Sequence, residues 1–292
     1  MRIIQGPDLK QMSTLKMGGR ALAAYFPGDY RDLEALGKIW PELGPDVLIL
    51  GKGSNILFQD GNRDFSMVVW GKNELPVVIK EAEDRVVVLA DTGTGLPGFL
   101  SWCARHGLTG LENLVGIPGK LGGAIAMNAG SYGVEAVDLL KSVTVWTPET
   151  GIMEIRGDDF ETGYRKFKLN NISGLFIILK AVFTFKKDDP HAVRTRMKKY
   201  YSMKKSAQPI LRDTAGCVFK NPDDFEPAGM LLEKAGFRGR TRGGVCFSEM
   251  HSNFLVNVDK GSSQAALELI SQARDEVCRI FGTSLELEIR IV

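Results

Sequence analysis

The chain contains a glycine-rich stretch, GIPGKLGGAIAMNAGSYG, at residues 116–133, and a shorter one, GKGSN, at residues 51–55. Glycine lets backbone N–H groups approach an anion closely because no Cβ intervenes, and a bound pyrophosphate needs several such donors. Each glycine would weaken a regular helix or strand by roughly 0.5–1 kcal/mol relative to alanine. The density of glycine in residues 116–133 therefore predicts a ligand pressed against the backbone.

Neither glycine cluster matches a standard nucleotide-binding fingerprint. The chain has no Gly-x-Gly-x-x-Gly in these stretches and no phosphate loop ending in Gly-Lys-Ser/Thr, which disfavours a nicotinamide-type Rossmann domain. The shorter cluster follows an apolar run at residues 47–50 and is open to a second interpretation, a tight turn between strands that binds nothing.

Composition and charge are those of a globular protein with room for two or three domains. The chain has 292 residues, 44% hydrophobic and 25% charged, with a net charge of +2. We expect no nucleic-acid partner, because the charge is balanced and the basic run at residues 194–205 is typical of a solvated helix face. We expect no membrane insertion and no signal peptide, and therefore a cytoplasmic protein. We also expect a monomer. The four cysteines lack metal-ligand spacing, so we expect no metal site and no disulfide, with Cys103 and Cys278 as small core residues.

Hydrophobic patterns mix strands and helices without the alternation of a doubly wound sheet, which predicts an α+β fold. Strands are predicted at residues 47–50, 86–89, 143–146, 152–155, 175–185 and 285–292. Helices are predicted at residues 32–40 with Asp32 as the cap, at 96–106, at 191–205, and from Ser262 or Ser263 to Gly282.

A polar break at residues 186–190 predicts the main domain boundary. Residues 1–187 would form the first domain, with subdomains at about 1–70 and 71–187, and residues 188–292 would form the second.

Several further motifs occur in the order of one known family. They are GYR at residues 163–165, AGCVFKNP at 215–222, SEMHSNFLVN at 248–257 and LELEIRIV at 285–292. With the glycine clusters, this order resembles the UDP-N-acetylenolpyruvoylglucosamine reductase (MurB) family, and STLKMGG at residues 13–19 resembles its amino-terminal motif. The likeness covers nearly the whole chain. The last third lacks a long tyrosine-bearing insertion, as in the shorter of the family's two types.

The resemblance implies a two-subdomain FAD-binding domain of the vanillyl-alcohol-oxidase type and a C-terminal α+β substrate-binding domain whose last strand returns toward the flavin. The family uses NADPH to reduce noncovalent FAD, then reduces UDP-N-acetylglucosamine enolpyruvate to UDP-N-acetylmuramate for peptidoglycan precursor synthesis. Lys120 stands where the family commonly has Ser or Thr. The FAD contacts implied are Gly51, Lys52, Gly53, Ser54, Asn55, Gly116, Ile117, Pro118, Gly122 and Gly123.

Three residues match the family's catalytic positions: Arg165, Cys217 and Glu288. A guanidinium can grip a carboxylate through two hydrogen bonds and stays charged. Cys217 stands where the family most often carries the serine that protonates the enolate, and a thiol with its ordinary pKa of about 8.5 stays mostly protonated at neutral pH. Glu288 is expected to be protonated or to share a proton, since an ionised carboxylate would repel an enolate. The resemblance implies that the three groups gather around the isoalloxazine ring.

Each catalytic assignment has a plainer alternative. Arg165 could be a surface arginine in a basic segment, and Cys217 a buried residue that acts as a hydrophobe. Glu286 is the nearest rival of Glu288 on the charged face of the last segment. The family's serine two residues after the arginine is Phe167 here, which leaves the hydrogen bonding around Arg165 open.

The nucleotide-sugar substrate is expected to contact five residues: Tyr132, Lys220, Asn221, Gln208 and Glu233. Two other functions stay open at this point. A different flavoprotein on the same scaffold, one that oxidises a sugar or an alcohol, would keep the glycine clusters but would not need Arg165, Cys217 and Glu288 together. An inactive module that binds only flavin or nucleotide sugar would need none of the three.

Overall fold

The computed structural model describes residues 1–44, 46–170 and 172–292. By its internal contacts the chain divides into two compact units. Unit 1 comprises Met1–Ile4, Ala23–Gly51 and Phe65–Ser202, and unit 2 comprises Gln5–Leu22, Lys52–Asp64 and Met203–Val292. Unit 2 thus takes two segments from the amino-terminal part of the chain. The domain boundary expected after residue 187 stays a prediction.

The described residues form twenty strands and six α-helices. The strands are β1 (Arg2–Gln5), β2 (Ala23–Phe26), β3 (Val47–Ile49), β4 (Ile56–Leu57), β5 (Ser66–Val68), β6 (Val77–Glu81), β7 (Arg85–Asp91), β8 (Leu108–Thr109), β9 (Gly130–Ser131), β10 (Val134–Glu135), β11 (Leu140–Thr147), β12 (Gly151–Arg156), β13 (Phe160–Gly163), β14 (Lys166–Leu169), β15 (Ile177–Lys187), β16 (Thr214–Cys217), β17 (Thr241–Arg242), β18 (Val245–Phe247), β19 (Phe254–Asn257) and β20 (Arg290–Ile291). The helices are α1 (Tyr30–Ile39), α2 (Leu96–Arg105), α3 (Leu121–Ala126), α4 (Pro190–Ala207), α5 (Ala228–Lys234) and α6 (Ser263–Phe281).

Unit 1 is built on two sheets. The smaller has the strand order β1-β2-β5-β3, and both β2 and β3 pair with β5 in parallel. The larger has the order β12-β11-β15-β7-β6, with neighbouring strands antiparallel and β8 beside β15. Two short hairpins, β9–β10 and β13–β14, complete the unit.

The main core of unit 1 lies between the larger sheet and α2. Phe183 on β15 and Phe99 on α2 are fully buried, and their ring centroids lie 5.2 Å apart. Helix α2 begins after Gly95, carries a proline in its first turn, and buries Phe99, Leu100 and Cys103 at the spacing of one helix face. Burying a side chain as large as phenylalanine contributes about 1.5–3 kcal/mol, so this face fixes α2 on the sheet.

Unit 2 packs α6 against a four-stranded antiparallel sheet of order β16-β19-β18-β17. The hydroxyl of Ser262 accepts a hydrogen bond from the Ala265 amide at the start of α6, and Gly282 ends the helix with φ of 71°. A separate two-stranded sheet pairs β20 in parallel with β4.

Most predicted elements are confirmed, and three details were wrong. Helix α1 begins one turn early, because Asp29 and not Asp32 accepts the capping hydrogen bond. Cys103 is buried as predicted, but Cys278 is exposed on the outer face of α6. The strand expected over residues 285–292 is regular only at β20, since the preceding residues pair with a different segment.

Candidate active site

In unit 2, Cys217 and Glu288 are brought together by two chain segments that run side by side. The Glu288 amide donates a hydrogen bond to the Val218 carbonyl at 2.8 Å, and Phe219 forms an antiparallel bridge with Leu287. Cys217 is the last residue of β16 and directly precedes this pairing. The geometry therefore places both predicted catalytic residues at the same end of one pair of segments.

The structure distinguishes Glu288 from its rival Glu286. Glu286 is exposed and forms an ion pair with Lys220, whose backbone amide also donates to the Glu286 carbonyl at 2.8 Å. Glu288 is half-buried, as is the Cys217 thiol. Partial burial suits a proton-sharing carboxyl better than a fully solvated position does.

Asn55, the last residue of the GKGSN cluster, holds the backbone around Glu288. Its Nδ2 donates to the Glu288 carbonyl at 3.0 Å, and its own carbonyl accepts from the Arg290 amide at 3.0 Å. The pairing of β4 with β20 continues from this point. A predicted cofactor residue and a predicted catalytic residue thus share one hydrogen-bonded junction.

Asn253 fixes the other segment, and sequence reasoning did not single it out. This buried amide accepts from the Phe219 amide at 2.9 Å and donates to the Phe219 carbonyl at 2.8 Å. The backbone N–H of Asn253 donates to His251 Nδ1 at 3.3 Å. Burial lowers the pKa of His251, which fits a structural role for this histidine. The sequence feature that could have indicated this role is the asparagine inside the SEMHSNFLVN motif. A buried side-chain amide can bond to both the N–H and the C=O of a facing peptide.

The GKGSN cluster in unit 2 approaches residues 12–14 closely. Gly53 has φ of 64°, and a Cβ on it would lie 2.2 Å from the Met12 carbonyl oxygen, so only glycine fits. The neighbouring Ser13 is buried, and within the described residues its Oγ has no hydrogen-bond partner. An orphaned buried hydroxyl beside a glycine turn fits a bound polar ligand such as FAD. Ser13 lies in the STLKMGG motif but was not predicted as a contact.

In unit 1, the backbones of Gly51 and Gly123 lie close to each other, with no side chain between them. A Cβ on Gly51 would lie 3.7 Å from the Gly123 Cα, and one on Gly123 would lie 4.0 Å from the Gly51 Cα. These are ordinary contacts, so the fold alone does not require glycine at either position. A ligand such as FAD lying along these peptides would account for the missing side chains.

The other predicted FAD residues of unit 1 flank α3. Gly122 packs against Thr92, where a Cβ would meet Thr92 Cβ at 3.1 Å, so close packing explains this glycine. Lys120 stands where the family commonly has Ser or Thr. Its ammonium group donates a hydrogen bond to the Trp70 carbonyl at 2.7 Å. Gly116, Ile117 and Pro118 lie in the loop that leads into α3.

Arg165 lies in the two-residue turn that joins β13 to β14. Its φ is 55°, a left-handed conformation that a non-glycine residue adopts at a cost. The guanidinium lies 5.0 Å from the centre of the Tyr164 ring. Phe167, the departure from the family's serine, is buried on β14 with its ring 5.1 Å from that of Phe160, so it acts as a core residue of the hairpin.

The predicted substrate residues have diverse surroundings. Tyr132 in unit 1 is 43% exposed and stacks on Tyr200 with ring centroids 5.4 Å apart. In unit 2, Asn221 accepts from the Ala228 amide at the start of α5, while Glu233 forms an ion pair with Arg238. Gln208 follows the end of α4, and Lys220 pairs with Glu286 as described.

The described part of the chain holds no helix with the length and apolarity needed to cross a membrane. Among the same residues, no cluster of His, Cys, Asp and Glu side chains could hold a metal ion. All four cysteines are described, and none of them forms a disulfide.

Comparison with known proteins places the chain first in a class and then in a family. Residues 21–156 match the family model for an FAD binding domain, so the chain is an α+β flavoprotein. Residues 208–292 match the model for the C-terminal domain of UDP-N-acetylenolpyruvoylglucosamine reductase. The chain belongs to the UDP-N-acetylenolpyruvoylglucosamine reductase family.

Full-length relatives support this membership. The chain is 41% identical to the UDP-N-acetylenolpyruvoylglucosamine reductase of Nitratidesulfovibrio vulgaris, with 100% of this chain and 99% of the relative covered. It is 32% identical to the reductase of Aquifex aeolicus, with 100% and 96% covered. The crystal structure of the reductase from Thermus caldophilus matches with a TM-score of 0.83 at 28% identity, covering 100% of this chain and 99% of that one.

Proposed function

We propose that this chain reduces the enolpyruvyl double bond of UDP-N-acetylglucosamine enolpyruvate to give UDP-N-acetylmuramate, with FAD as cofactor and NADPH as reductant. The observation that carries the proposal is the junction of Cys217, Glu288 and Asn55 in unit 2. It joins a proton donor, a second acid and the end of a glycine cluster through backbone hydrogen bonds. A sugar or alcohol oxidase would not need a thiol and a carboxyl so arranged.

FAD would be held by backbone and hydroxyl groups of the glycine clusters. Gly53, Ser54, Asn55 and Ser13 are proposed contacts of the diphosphate and ribose. Gly51 and Gly123 are proposed as further FAD contacts through their backbone. Bound FAD supplies the hydride for the double bond, and NADPH renews it.

Arg165 would bind the substrate carboxylate. When the double bond is reduced, negative charge moves onto this carboxylate as an enolate develops. A guanidinium aimed at that position stabilises the growing charge and needs no proton transfer. The partly buried position of Arg165 supports this role, because electrostatic stabilisation is stronger where water is reduced.

Cys217 would donate the proton from its Sγ to the carbon of the enolate. Glu288, whose amide bonds to the carbonyl of the adjacent Val218, would hold a proton on its carboxyl and hydrogen-bond the enolate oxygen. Both groups are half-buried. Retention of a proton on each is what the step requires.

Tyr132, Lys220, Asn221, Gln208 and Glu233 remain the proposed contacts of the nucleotide sugar. Tyr132 presents an exposed ring already stacked on Tyr200, which suits contact with a planar base. The proposal places the enzyme in the cytoplasm, where four free thiols stay reduced. A monomer is expected, and sedimentation analysis would test it.

The experiment is an anaerobic two-stage reaction with the purified flavoprotein. NADPH should bleach the flavin absorbance, and the enolpyruvyl substrate should restore it with one UDP-N-acetylmuramate formed per NADPH consumed. Bleaching by an alcohol or a free sugar in place of NADPH would favour an oxidase. Failure of the enolpyruvyl substrate to restore the absorbance would overturn the proposal.

A further inference from the structure

The turn that carries Arg165 is held by a buried amide that belongs to a distant part of the chain. Asn128 lies after α3, is fully buried, and donates from Nδ2 to the Gly163 carbonyl at 3.0 Å. Gly163 immediately precedes the turn of Tyr164 and Arg165. Because Arg165 adopts a left-handed backbone, this bond restrains a turn that is otherwise strained.

The same amide also holds an acidic side chain next to Arg165. Asn128 Nδ2 donates to Glu135 Oε2 at 2.5 Å. Glu135 pairs with Gly130 across the β9–β10 hairpin. A Cβ on Gly130 would lie 3.1 Å from Arg165 Nη1 and 3.3 Å from Glu135 Cγ, so the guanidinium and the acidic side chain both rest against this bare residue.

Asn128 does not look like a residue present for stability alone. Within the described residues its Oδ1 is buried and has no hydrogen-bond partner. Its φ of 41° is one that asparagine tolerates, so the backbone alone favours asparagine but does not explain the buried amide. A buried acceptor without a partner is unfavourable, and an apolar side chain of similar shape would avoid it. Both donors of the amide, in contrast, serve groups around Arg165.

We propose that Asn128, Glu135 and Gly130 form a positioning site for Arg165. Asn128 fixes the turn and Glu135 together, Glu135 places a carboxylate beside the guanidinium, and Gly130 leaves the space that the guanidinium occupies. The three residues act through Arg165 and touch no reacting atom. The inference rests on the proposed role of Arg165 as the group that binds the substrate carboxylate.

The main test uses two variants that act on different parts of this site. Asn128→Asp keeps the size of the side chain but replaces the Nδ2 donor by an oxygen acceptor. That oxygen would face the Glu135 carboxylate and the Gly163 carbonyl, which are acceptors themselves. Gly130→Ala adds one methyl group at a backbone conformation that alanine tolerates, in contact with Arg165. Gly98→Ala is the matched control, since a Cβ there meets nothing within 4 Å on helix α2.

Binding of two nucleotides separates positioning from general damage. UDP-N-acetylmuramate carries the carboxylate that Arg165 would grip, and UDP-N-acetylglucosamine lacks it. By calorimetry, both variants should bind UDP-N-acetylmuramate about tenfold more weakly, the loss expected for a misplaced hydrogen bond to a charged group. Affinity for UDP-N-acetylglucosamine, flavin reduction by NADPH and the circular dichroism spectrum should be those of the parent and of Gly98→Ala.

The Arg165→Ala background decides between the outcomes. If Asn128 acts through Arg165, then adding Asn128→Asp to Arg165→Ala should weaken binding of UDP-N-acetylmuramate no further. Equal losses in both backgrounds, or equal losses for the two nucleotides, would overturn the positioning site while leaving the role of Arg165 intact. Unchanged binding in Arg165→Ala alone would overturn both. If Asn128→Asp does not fold, the same cycle with Gly130→Ala gives the answer.

Discussion

The side-chain amide of Asn55 donates a hydrogen bond at 3.0 Å to the backbone carbonyl of Glu288, a residue 233 positions later in the chain. Asn55 ends the GKGSN cluster, and Glu288 is the second acid of the proposed mechanism, beside the proton donor Cys217. The bond restrains the Glu288 backbone and not its carboxyl group. Asn55 therefore helps to fix the position of the Glu288 Cα, from which the side chain extends. In the proposed mechanism, cofactor binding and placement of the acid would be coupled at this one amide.

Asn55→Ala should loosen the segment that carries Glu288. Loss of a backbone-directed hydrogen bond costs about 1 kcal/mol, and amide exchange in residues 285–292 should become faster. Turnover of the enolpyruvyl substrate should fall as Glu288 loses its position. Hydrogen-exchange mass spectrometry with FAD saturating checks the first effect, and Asn73→Ala, at an exposed asparagine, is the control. Unchanged exchange in residues 285–292 would contradict the coupling.

Cys217→Ala should abolish proton donation without affecting reduction by NADPH. A general acid contributes on the order of 10²–10⁴-fold, so the rate of flavin reoxidation by substrate should fall by that factor. Cys217→Ser should recover part of the rate, because a hydroxyl can donate in the same place. Cys246→Ala changes another half-buried cysteine of the same sheet and should have the parent's rate. Normal reoxidation in Cys217→Ala would remove the thiol from the mechanism.

Glu288→Gln and Glu286→Gln form a matched pair two residues apart. Glu288→Gln should lower kcat by about 10²-fold or more, since an amide cannot share a proton in the same way. Glu286→Gln breaks the ion pair with Lys220 and should change KM more than kcat. Steady-state kinetics on both variants decides which glutamate acts on the enolate. A larger loss of kcat in Glu286→Gln would reverse the assignment.

Glu112 should make the stability of the protein fall in acid. Burial raises the pKa of this carboxyl, but hydrogen bonds from the Gly110 amide, Arg196 and Thr109 outweigh burial and hold the pKa below its ordinary value. A folded-state pKa below the unfolded value of about 4.3 stabilises the fold above that pH, and the contribution is lost as pH falls through the folded pKa.

Glu112→Gln tests this contribution. The variant should unfold at a lower temperature at pH 7, with a loss of about 1.5–3 kcal/mol for hydrogen bonds to a charged group. The difference from the parent should shrink below about pH 4. Thermal melts across this range, with Glu149→Gln as an exposed control, check it. A difference that is constant with pH would show that the charge is not involved.

Lys204 should destabilise the fold at neutral pH, and this cost should be relieved in base. Burial lowers the pKa of this lysine to about 8, below its unfolded value of about 10.4. The folded state therefore binds fewer protons between these values, and stability should rise with pH across that window. Lys204→Met should raise the melting temperature at pH 7 and remove the rise, while Lys205→Met, exposed on the same helix, should do neither. A lower melting temperature in Lys204→Met would contradict the prediction.

Sequence reasoning was strongest where a residue acts through its local pattern. The Ser262 cap, the Gly282 stop and the spacing of α2 are local features, and the structure has them where predicted. The family motifs also led to residues that the structure brings together, since Cys217 and Glu288 lie at adjacent positions of paired segments. Their gathering with Arg165 around one flavin stays a prediction.

What sequence reasoning missed depends on contacts between distant segments. Asn253 and Asn128 act through side-chain amides on peptides 34 and 35 residues away, and no periodic pattern marks such a bond. The strand expected at 285–292 failed for the same reason, because its first half pairs with residues 218–220 and its second half with β4. Alternating hydrophobicity predicts which face is buried but not which partner covers it.

The parallel pairing of β4 with β20 has a consequence for synthesis on the ribosome. Asn55 and its neighbours leave the exit tunnel 233 residues before Glu288 and its neighbours. At about 5–20 residues per second, residues 52–64 wait roughly 10–50 seconds for the strand that completes their hydrogen bonding. Unit 2 therefore cannot complete this pairing until β20 has emerged, and its nascent amino-terminal segments are where a chaperone would be expected to bind.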